Sequence, residues 1–244
     1  MIKIYACDLD GTLLPRGRDR LSAEIENKIK AVIADGAVFA AVSGRDYCSL
    51  RSVLDFCADD VYYFCCGGSV CLKGGRVIYS KPVSSDAVIS AIKAAKSKGI
   101  GLVLSGADRE YVYGDDDFCA RIGRIYGDSA VRIFCNRGVD ASVYKISFYC
   151  GDGKSIDPSA VGLRQFYNRN GWEEYISRIA DKGDALSSLM MRLGVFKTDV
   201  ISAGDDLSDA PMLKKAGRAY AFGRELALAL GLALSEDPRE IFDR

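Results

Sequence analysis

The chain has 244 residues, with 33 basic and 33 acidic side chains and no histidine. Zero formal net charge offers no global attraction to nucleic acid or to an anionic membrane surface, so any anion must be held locally. Without histidine there is no Ser-His or Cys-His catalysis and no histidine-ligated zinc or iron, which leaves acid-base work to carboxylates, lysine or tyrosine.

In chain order, the first third alternates strand and helix signals, a parallel α/β pattern. A strand is expected near 2–8, a helix from about Ser22 to Asp35, a strand at 37–42, a helix at 46–57 and a strand at 61–65. The first helix is well marked: Ser22 can cap it, Ile25, Ile29, Val32 and Ile33 form one stripe, and Gly36 stops it. Residues 69–79 read as a hairpin around Gly74-Gly75, and Pro82 with Ser84-Ser85 marks a boundary.

From 84 to 179 the pattern starts afresh. A helix carrying Val88, Ile89 and Ile92 ends at Gly99, followed by strands near 100–105 and 109–113 and a helix around Phe118 to Tyr126. A strand at 144–150, a helix after Pro158 and a strand at 172–179 complete a segment of α+β type. After Lys182 the parallel rhythm resumes with helix 184–193, strand 198–203, helix 209–216 and strand 218–222. The chain therefore reads as one parallel-sheet domain, 1–83 with 180–244, interrupted by an inserted domain at 84–179.

The nine cysteines contain no Cys-x-x-Cys pair, and several lie in apolar runs, so they read as small buried hydrophobes of a reduced compartment. No apolar run is long enough to span a bilayer, and Met1-Ile2-Lys3 does not open a signal peptide, which points to the cytoplasm.

Four segments end a strand or open the helix beside one with groups suited to a phosphate and a hard cation, and the ligand crevice of an open α/β sheet lies at those carboxyl ends. The first is Asp8-Leu9-Asp10-Gly11-Thr12. Residues two apart on an extended segment share a face, so Asp8 and Asp10 can converge on one ligand, and two such carboxylates repel unless a cation or proton lies between them. The second, Ser43-Gly44-Arg45, offers a hydroxyl, a close-approach backbone and helix N-terminal N–H groups to an anion, though serine and glycine there equally make an ordinary cap. Lys182, at the entrance to a helix, is the third. The fourth, Gly204-Asp205-Asp206-Leu207-Ser208-Asp209, carries hard oxygen donors fit for Mg²⁺.

In that order, Asp8-x-Asp10-Gly11-Thr12, Ser43-Gly44-Arg45, Lys182-Gly183-x-Ala185-Leu186 and Gly204-Asp205-x-x-Ser208-Asp209 resemble the motifs of the haloacid dehalogenase superfamily, specifically Cof-type phosphatases with an inserted class II (IIB-like) α+β cap. The resemblance covers nearly the whole chain and implies a Rossmann-like core with residues 84–179 as the cap. It implies that Asp8 is the nucleophile forming an aspartyl-phosphate and that Asp10 is the general acid and base. It further implies Mg²⁺ held by Asp8, the Asp10 backbone carbonyl and Asp205, with Asp209 as ligand or as support for Lys182. Ser43, Gly44, Lys182 and Ser208 would bind the phosphoryl group, with Arg45 a substrate contact. The physical logic stands beside the name: an anionic nucleophile meeting an anionic phosphate needs a cation and a lysine to offset repulsion.

Three departures from the family pattern stand out. Ser208 replaces the usual asparagine, Cys66-Gly67-Gly68 replaces an Asn-Gly-Ala turn, and Gly223-Arg224-Glu225 replaces Gly-Asn-Ala. The implied activity is Mg²⁺-dependent hydrolysis of a small phosphate ester, most simply a sugar phosphate. The alternatives are a phosphomutase with the same motifs and a binding protein that has lost turnover. Arg109, Tyr111, Tyr113, Arg121 and Arg124 are the cap residues considered for substrate contact.

Overall fold

A computed structural model describes residues 3–151, 154–157 and 162–243. The helix expected after Pro158 falls at its start outside the described residues. By internal contacts the chain divides into two compact units, Met1–Tyr79 with Asp181–Arg244, and Ser80–Ala180.

Among the described residues the first unit is built on a seven-stranded sheet, in the order Arg218–Ala221, Val200–Gly204, Ile4–Asp8, Val38–Val42, Tyr62–Cys65, Val70–Lys73, Arg76–Ser80. The first five run parallel, and Val70–Lys73 pairs antiparallel to Tyr62–Cys65. Ile4–Asp8 is buried along its whole length, as a central parallel strand covered on both faces must be. The chain leaves this strand toward Val38–Val42 on one side and returns to Val200–Gly204 on the other. The carboxyl ends of these three strands therefore sit side by side at a topological switch point, where an open α/β sheet forms its crevice.

The helices follow the expected signals. Helix Ala23–Ala34 starts where the Ser22 side chain accepts the Ile25 N–H, and it buries Ile25, Ile29 and Val32; each such side chain contributes roughly 1.5–3 kcal/mol by leaving water. Helix Lys182–Leu193 is capped by Asp181 and stops at Gly194 in the left-handed region. Elsewhere the expected spans shorten. The helix expected at 46–57 is Tyr47–Val53 followed by a 3₁₀ turn, Asp55–Cys57. That expected at 209–216 is a 3₁₀ turn, Leu207–Asp209, running into Ala210–Leu213. Helix Arg224–Leu230 was not expected from the sequence.

The second unit carries a six-stranded sheet among the described residues, in the order Arg164–Arg169, Trp172–Ile176, Lys145–Tyr149, Gly101–Ser105, Glu110–Tyr113, Ala130–Arg132. Only the last pair is parallel. Alternation along the strands splits its two faces. Leu102, Leu104, Ile146, Phe148 and Tyr175 pack with Val88, Ala91, Ile92 and Ala95 of helix Ser85–Lys98. Val103 and Val112 pack with Phe118 and Ile122 of helix Asp116–Tyr126. Strand Arg164–Arg169 is an edge with a register shift and mostly exposed side chains, so its sequence lacks the apolar alternation that would announce it.

Candidate active site

The Ile4–Asp8 strand ends at Asp8, and the next six residues form a tight loop. Gly11 and Leu14 N–H groups donate to Leu14 and Leu9 carbonyls, both at 2.8 Å, while Leu9, Leu13 and Leu14 anchor the loop in the core. Gly11 takes φ +93°, and a Cβ there would lie 2.2 Å from Asp205 Oδ2, so only glycine lets the turn meet that carboxylate. The strand stops at Asp8, so Asp10 is carried by the loop and not by the strand. Asp8 points into the unit at 5 % exposure. Asp10 is exposed and is gripped by Arg45, whose Nε and Nη2 donate to its two oxygens at 2.8 and 2.6 Å.

Ser43 and Gly44 belong to that rim. The Ser43 hydroxyl accepts the Arg45 N–H at 3.1 Å and donates to Asp10 Oδ2 at 3.4 Å. The following helix begins at Tyr47, and Asp46 takes its Ser49 N–H, so the expected free helix N-terminus lies two residues beyond the Ser-Gly-Arg turn and is already capped. The forked contact with Asp10 also pushes the Arg45 pKa up.

Asp8 is instead gathered with residues from the far end of the sequence. Lys182, the first residue of its helix, donates from Nζ to Asp8 Oδ1 at 2.6 Å and to Asp209 Oδ1. Thr12 Oγ1 donates to the other Asp8 oxygen at 3.5 Å. Asp209 is fully buried, and its Oδ2 accepts the N–H groups of Asp205 and Asp206 at 3.1 and 3.0 Å. Asp209 therefore ties the loop after Val200–Gly204 to the lysine. Ser208 stands half-buried on the same turn with its N–H given to Asp206 Oδ1.

Oxygens of Asp8, Asp205 and Asp209 lie within 4.8 Å of one another. Burial pushes the Asp8 pKa well above the usual carboxylate range, Asp209 adds to the rise, and Lys182 opposes it. Burial would lower the Lys182 pKa, but Asp209 and Asp8 together hold the ammonium charged. Three carboxylates thus stand against the buried Lys182 and an exposed guanidinium, that of Arg16 on Asp205, a deficit of positive charge that a hard dication fits. Asp209 has both oxygens engaged, one by Lys182 and the other by the Asp205 and Asp206 N–H groups.

Several contributors carry no clear sequence signal. Arg16, on an exposed loop, donates from Nη2 to Asp205 Oδ2 at 2.9 Å. Gly223, one of the departures, backs the same residue: a Cβ there would lie 1.7 Å from the Asp205 carbonyl oxygen. Cys66, another departure, holds φ +54°, a left-handed conformation that asparagine adopts more easily than cysteine. Its neighbour Gly68 lies against the Asp181–Lys182 backbone, where a Cβ would come within 2.6 Å of the Asp181 oxygen.

The residues considered in the second unit are largely committed within it. Tyr111 is fully buried and donates its hydroxyl to Asp140, which Arg109 also approaches. Tyr113 packs beside that core, and Arg121 lies over the Tyr149 ring at 4.2 Å. Arg124 is exposed in the last turn of its helix. All nine cysteines are free thiols; six are buried, while Cys48 and Cys135 are exposed and Cys119 is intermediate.

Set beside known proteins, this geometry has a family. Residues 5–225 match the model of the haloacid dehalogenase-like hydrolases, and the chain belongs to that family. It is 22 % identical over 234 residues to the Escherichia coli 5-amino-6-(5-phospho-D-ribitylamino)uracil phosphatase YbjI, covering 90 % of this chain and 84 % of that protein. It spans 48 % of a Streptococcus pyogenes relative named for both phosphatase and peptidyl-prolyl cis-trans isomerase activities, at 25 % identity over 91 % of this chain. In fold it is similar to a crystal structure from Eubacterium rectale, with TM-score 0.84, 21 % identity and coverage of 98 % and 96 % of the two chains. It is also similar to the subclass IIB sugar phosphatase BT4131, with TM-score 0.69, 17 % identity and coverage of 98 % and 91 %. The family expected from the four motifs is thus the family found.

Proposed function

We propose that the chain is a Mg²⁺-dependent phosphomonoester hydrolase of small phosphorylated metabolites, most simply sugar or sugar-alcohol phosphates, working through an aspartyl-phosphate. The observation that carries this reading is the buried Lys182 ammonium bonded to both Asp8 and Asp209, with Asp205 in the same cluster. The named activities of the YbjI and BT4131 relatives support the substrate class.

Asp8 attacks phosphorus, forming the acyl-phosphate bond as the ester P–O bond breaks, and Asp10 delivers a proton to the departing alkoxide. Asp10 then takes a proton from water, whose oxygen attacks phosphorus, releasing inorganic phosphate and restoring the Asp8 carboxylate. Arg45 holds Asp10 at the rim, so Asp10 must turn from that fork to reach the leaving oxygen. Ser43, Gly44, Ser208 and Lys182 hold the transferring group, Lys182 placing its charge where oxygens gather negative charge. Asp8, the Asp10 carbonyl and Asp205 would hold Mg²⁺, which supplies charge to offset the meeting of two anions. Residues 84–179 act as the cap that selects substrate. A cytoplasmic setting is part of the same proposal, as a reducing compartment suits the nine free thiols; among the described residues no helix is long and apolar enough to cross a membrane.

The test is release of inorganic phosphate from p-nitrophenyl phosphate and a panel of sugar phosphates, with Mg²⁺ or EDTA. Asp8→Asn should lower turnover by at least about 10³-fold with the fold intact by circular dichroism. Undiminished turnover in that variant refutes the reading, and isomerised phosphate without free phosphate identifies a mutase instead.

A further inference from the structure

Arg16 and Asp205 form an ion pair whose partners are held very differently. The Asp205 side chain is 10 % exposed and Arg16 is 67 % exposed. Asp205 is fixed by its N–H bond to Asp209, by the Gly11 turn against its carboxylate and by Gly223 against its carbonyl. Arg16 stands on a turn closed by the Arg18 N–H to the Pro15 carbonyl, where Gly17 takes φ +81° with open space around it. Anything that takes Asp205 away moves the arginine and leaves the carboxylate in place.

Charge says what would take it. Lys182 serves Asp8 and Asp209, and Arg16 is the cation on Asp205, the third carboxylate of the cluster. A dication held by Asp8 and Asp205 makes that guanidinium redundant there and leaves it at the rim of a site built for a phosphoryl dianion. Exposed ion pairs are weak, so the exchange costs little. A guanidinium fork also matches phosphate oxygens better than one carboxylate oxygen it touches with a single nitrogen.

We propose that Arg16 and Mg²⁺ compete for Asp205, and that the displaced Arg16 binds the substrate's phosphoryl oxygens, so that metal and phosphate bind cooperatively through one arginine. This rests on the phosphatase reading above and adds a residue that none of the four motifs contains.

Isothermal titration with Mg²⁺ alone, and with inorganic phosphate in the presence and absence of Mg²⁺, tests it on the whole chain. Arg16→Gln should bind Mg²⁺ about threefold more tightly, since a weak competing pair is gone. The same variant should bind phosphate roughly fivefold more weakly, but only when Mg²⁺ is present. Arg18→Gln, the same charge change two residues along the turn, should do neither. Unchanged Mg²⁺ affinity in Arg16→Gln, or an equal shift in Arg18→Gln, overturns the proposal while Asp205→Asn still abolishes Mg²⁺ binding and the phosphatase reading stands. If Asp205→Asn binds Mg²⁺ as the unaltered protein does, the metal assignment fails and this proposal falls with it.

Discussion

Lys182 in the first unit and Lys145 in the second are both more than nine-tenths buried, and each bonds a carboxylate. Lys145 reaches Glu174 at 3.1 Å, and Ser147 donates to the same oxygen at 3.2 Å. Ser147 and Glu174 face each other across adjacent antiparallel strands, so the sheet ladder sets this cluster, and the ion pair is neutral. Lys182 takes partners 174 and 27 residues away, from two different strand ends, and joins a set of three carboxylates. Both lysines are equally hidden from water, so burial alone does not separate structural from chemical roles. The charge left over does: the Lys145–Glu174 pair is neutral, while the three carboxylates around Lys182 outnumber Lys182 and Arg16 together.

Removing each ammonium breaks or sharpens that contrast. Lys182→Met strands two buried carboxylates and should destabilise the chain by about 3–5 kcal/mol without Mg²⁺. Lys145→Met should cost less, about 1–3 kcal/mol, because the Glu174 side chain keeps 19 % of its exposure and can draw on water. Urea unfolding in EDTA measures both. Equal losses would show that burial, not charge balance, governs the two sites. Millimolar Mg²⁺ should narrow the deficit of Lys182→Met alone, since only that cluster has a use for it.

Glycines give a second, smaller contrast. Gly11 and Gly171 both hold positive φ, +93° and +76°. A Cβ on Gly171 would lie 3.3 Å from the Gly151 Cα, whereas one on Gly11 would strike the Asp205 carboxylate at 2.2 Å. Gly171→Ala should therefore cost only the conformational strain, about 1–2 kcal/mol. Gly11→Ala should add a loss of Mg²⁺ affinity of roughly 10-fold or more, read by titration calorimetry, because the new Cβ must push the Asp205 carboxylate out of its place in the cluster.

How much of this the sequence disclosed follows the same line. The parallel sheet and the groups at its strand ends were legible because buried strands are long apolar runs and the motifs stand at their ends. Lys182 was legible as part of a motif, and its bond to Asp8 was not, since 174 residues separate them. The two residues Asp8 and Asp10 were legible as a motif, while the loop that carries Asp10 was not, since alternation holds only while the backbone stays extended and the strand stops at Asp8. Arg16 and Lys145 left no trace, one being an ordinary exposed arginine and the other an ordinary lysine in a strand. Arg164–Arg169 was missed because an edge strand facing solvent has no apolar period to read.

The two units should also answer acid in opposite senses, a subtler effect than either substitution. In the first unit burial raises the pKa of Asp8 and, with Arg16 opposing, of Asp205. Unfolded, both carboxyls titrate near about 3.9. Between that value and their raised folded values, the folded chain keeps protons that the unfolded chain has lost, so stability falls as pH rises through the window. Lys182 does not alter this slope. Its folded pKa lies above the unfolded value of about 10.4, so its contribution is complete at acid and neutral pH. In the second unit the Tyr111 hydroxyl holds the Asp140 pKa below the usual range, so that contribution is present above the unfolded value and is lost as pH falls through the folded one. Unfolding in EDTA from pH 4.5 to 7.5 should therefore show the unaltered chain losing stability relative to Asp8→Asn as pH rises. Carried on below about pH 4, where the unfolded carboxyl begins to take its proton, the same series should show Tyr111→Phe flattening only that acid limb, followed by fluorescence of Trp172, the single tryptophan and a residue of the second unit. Parallel curves for the unaltered chain and Asp8→Asn would mean that Asp8 is ionised across the whole range, with Lys182 outweighing its burial, and the two clusters would then differ less than their carboxylate count implies.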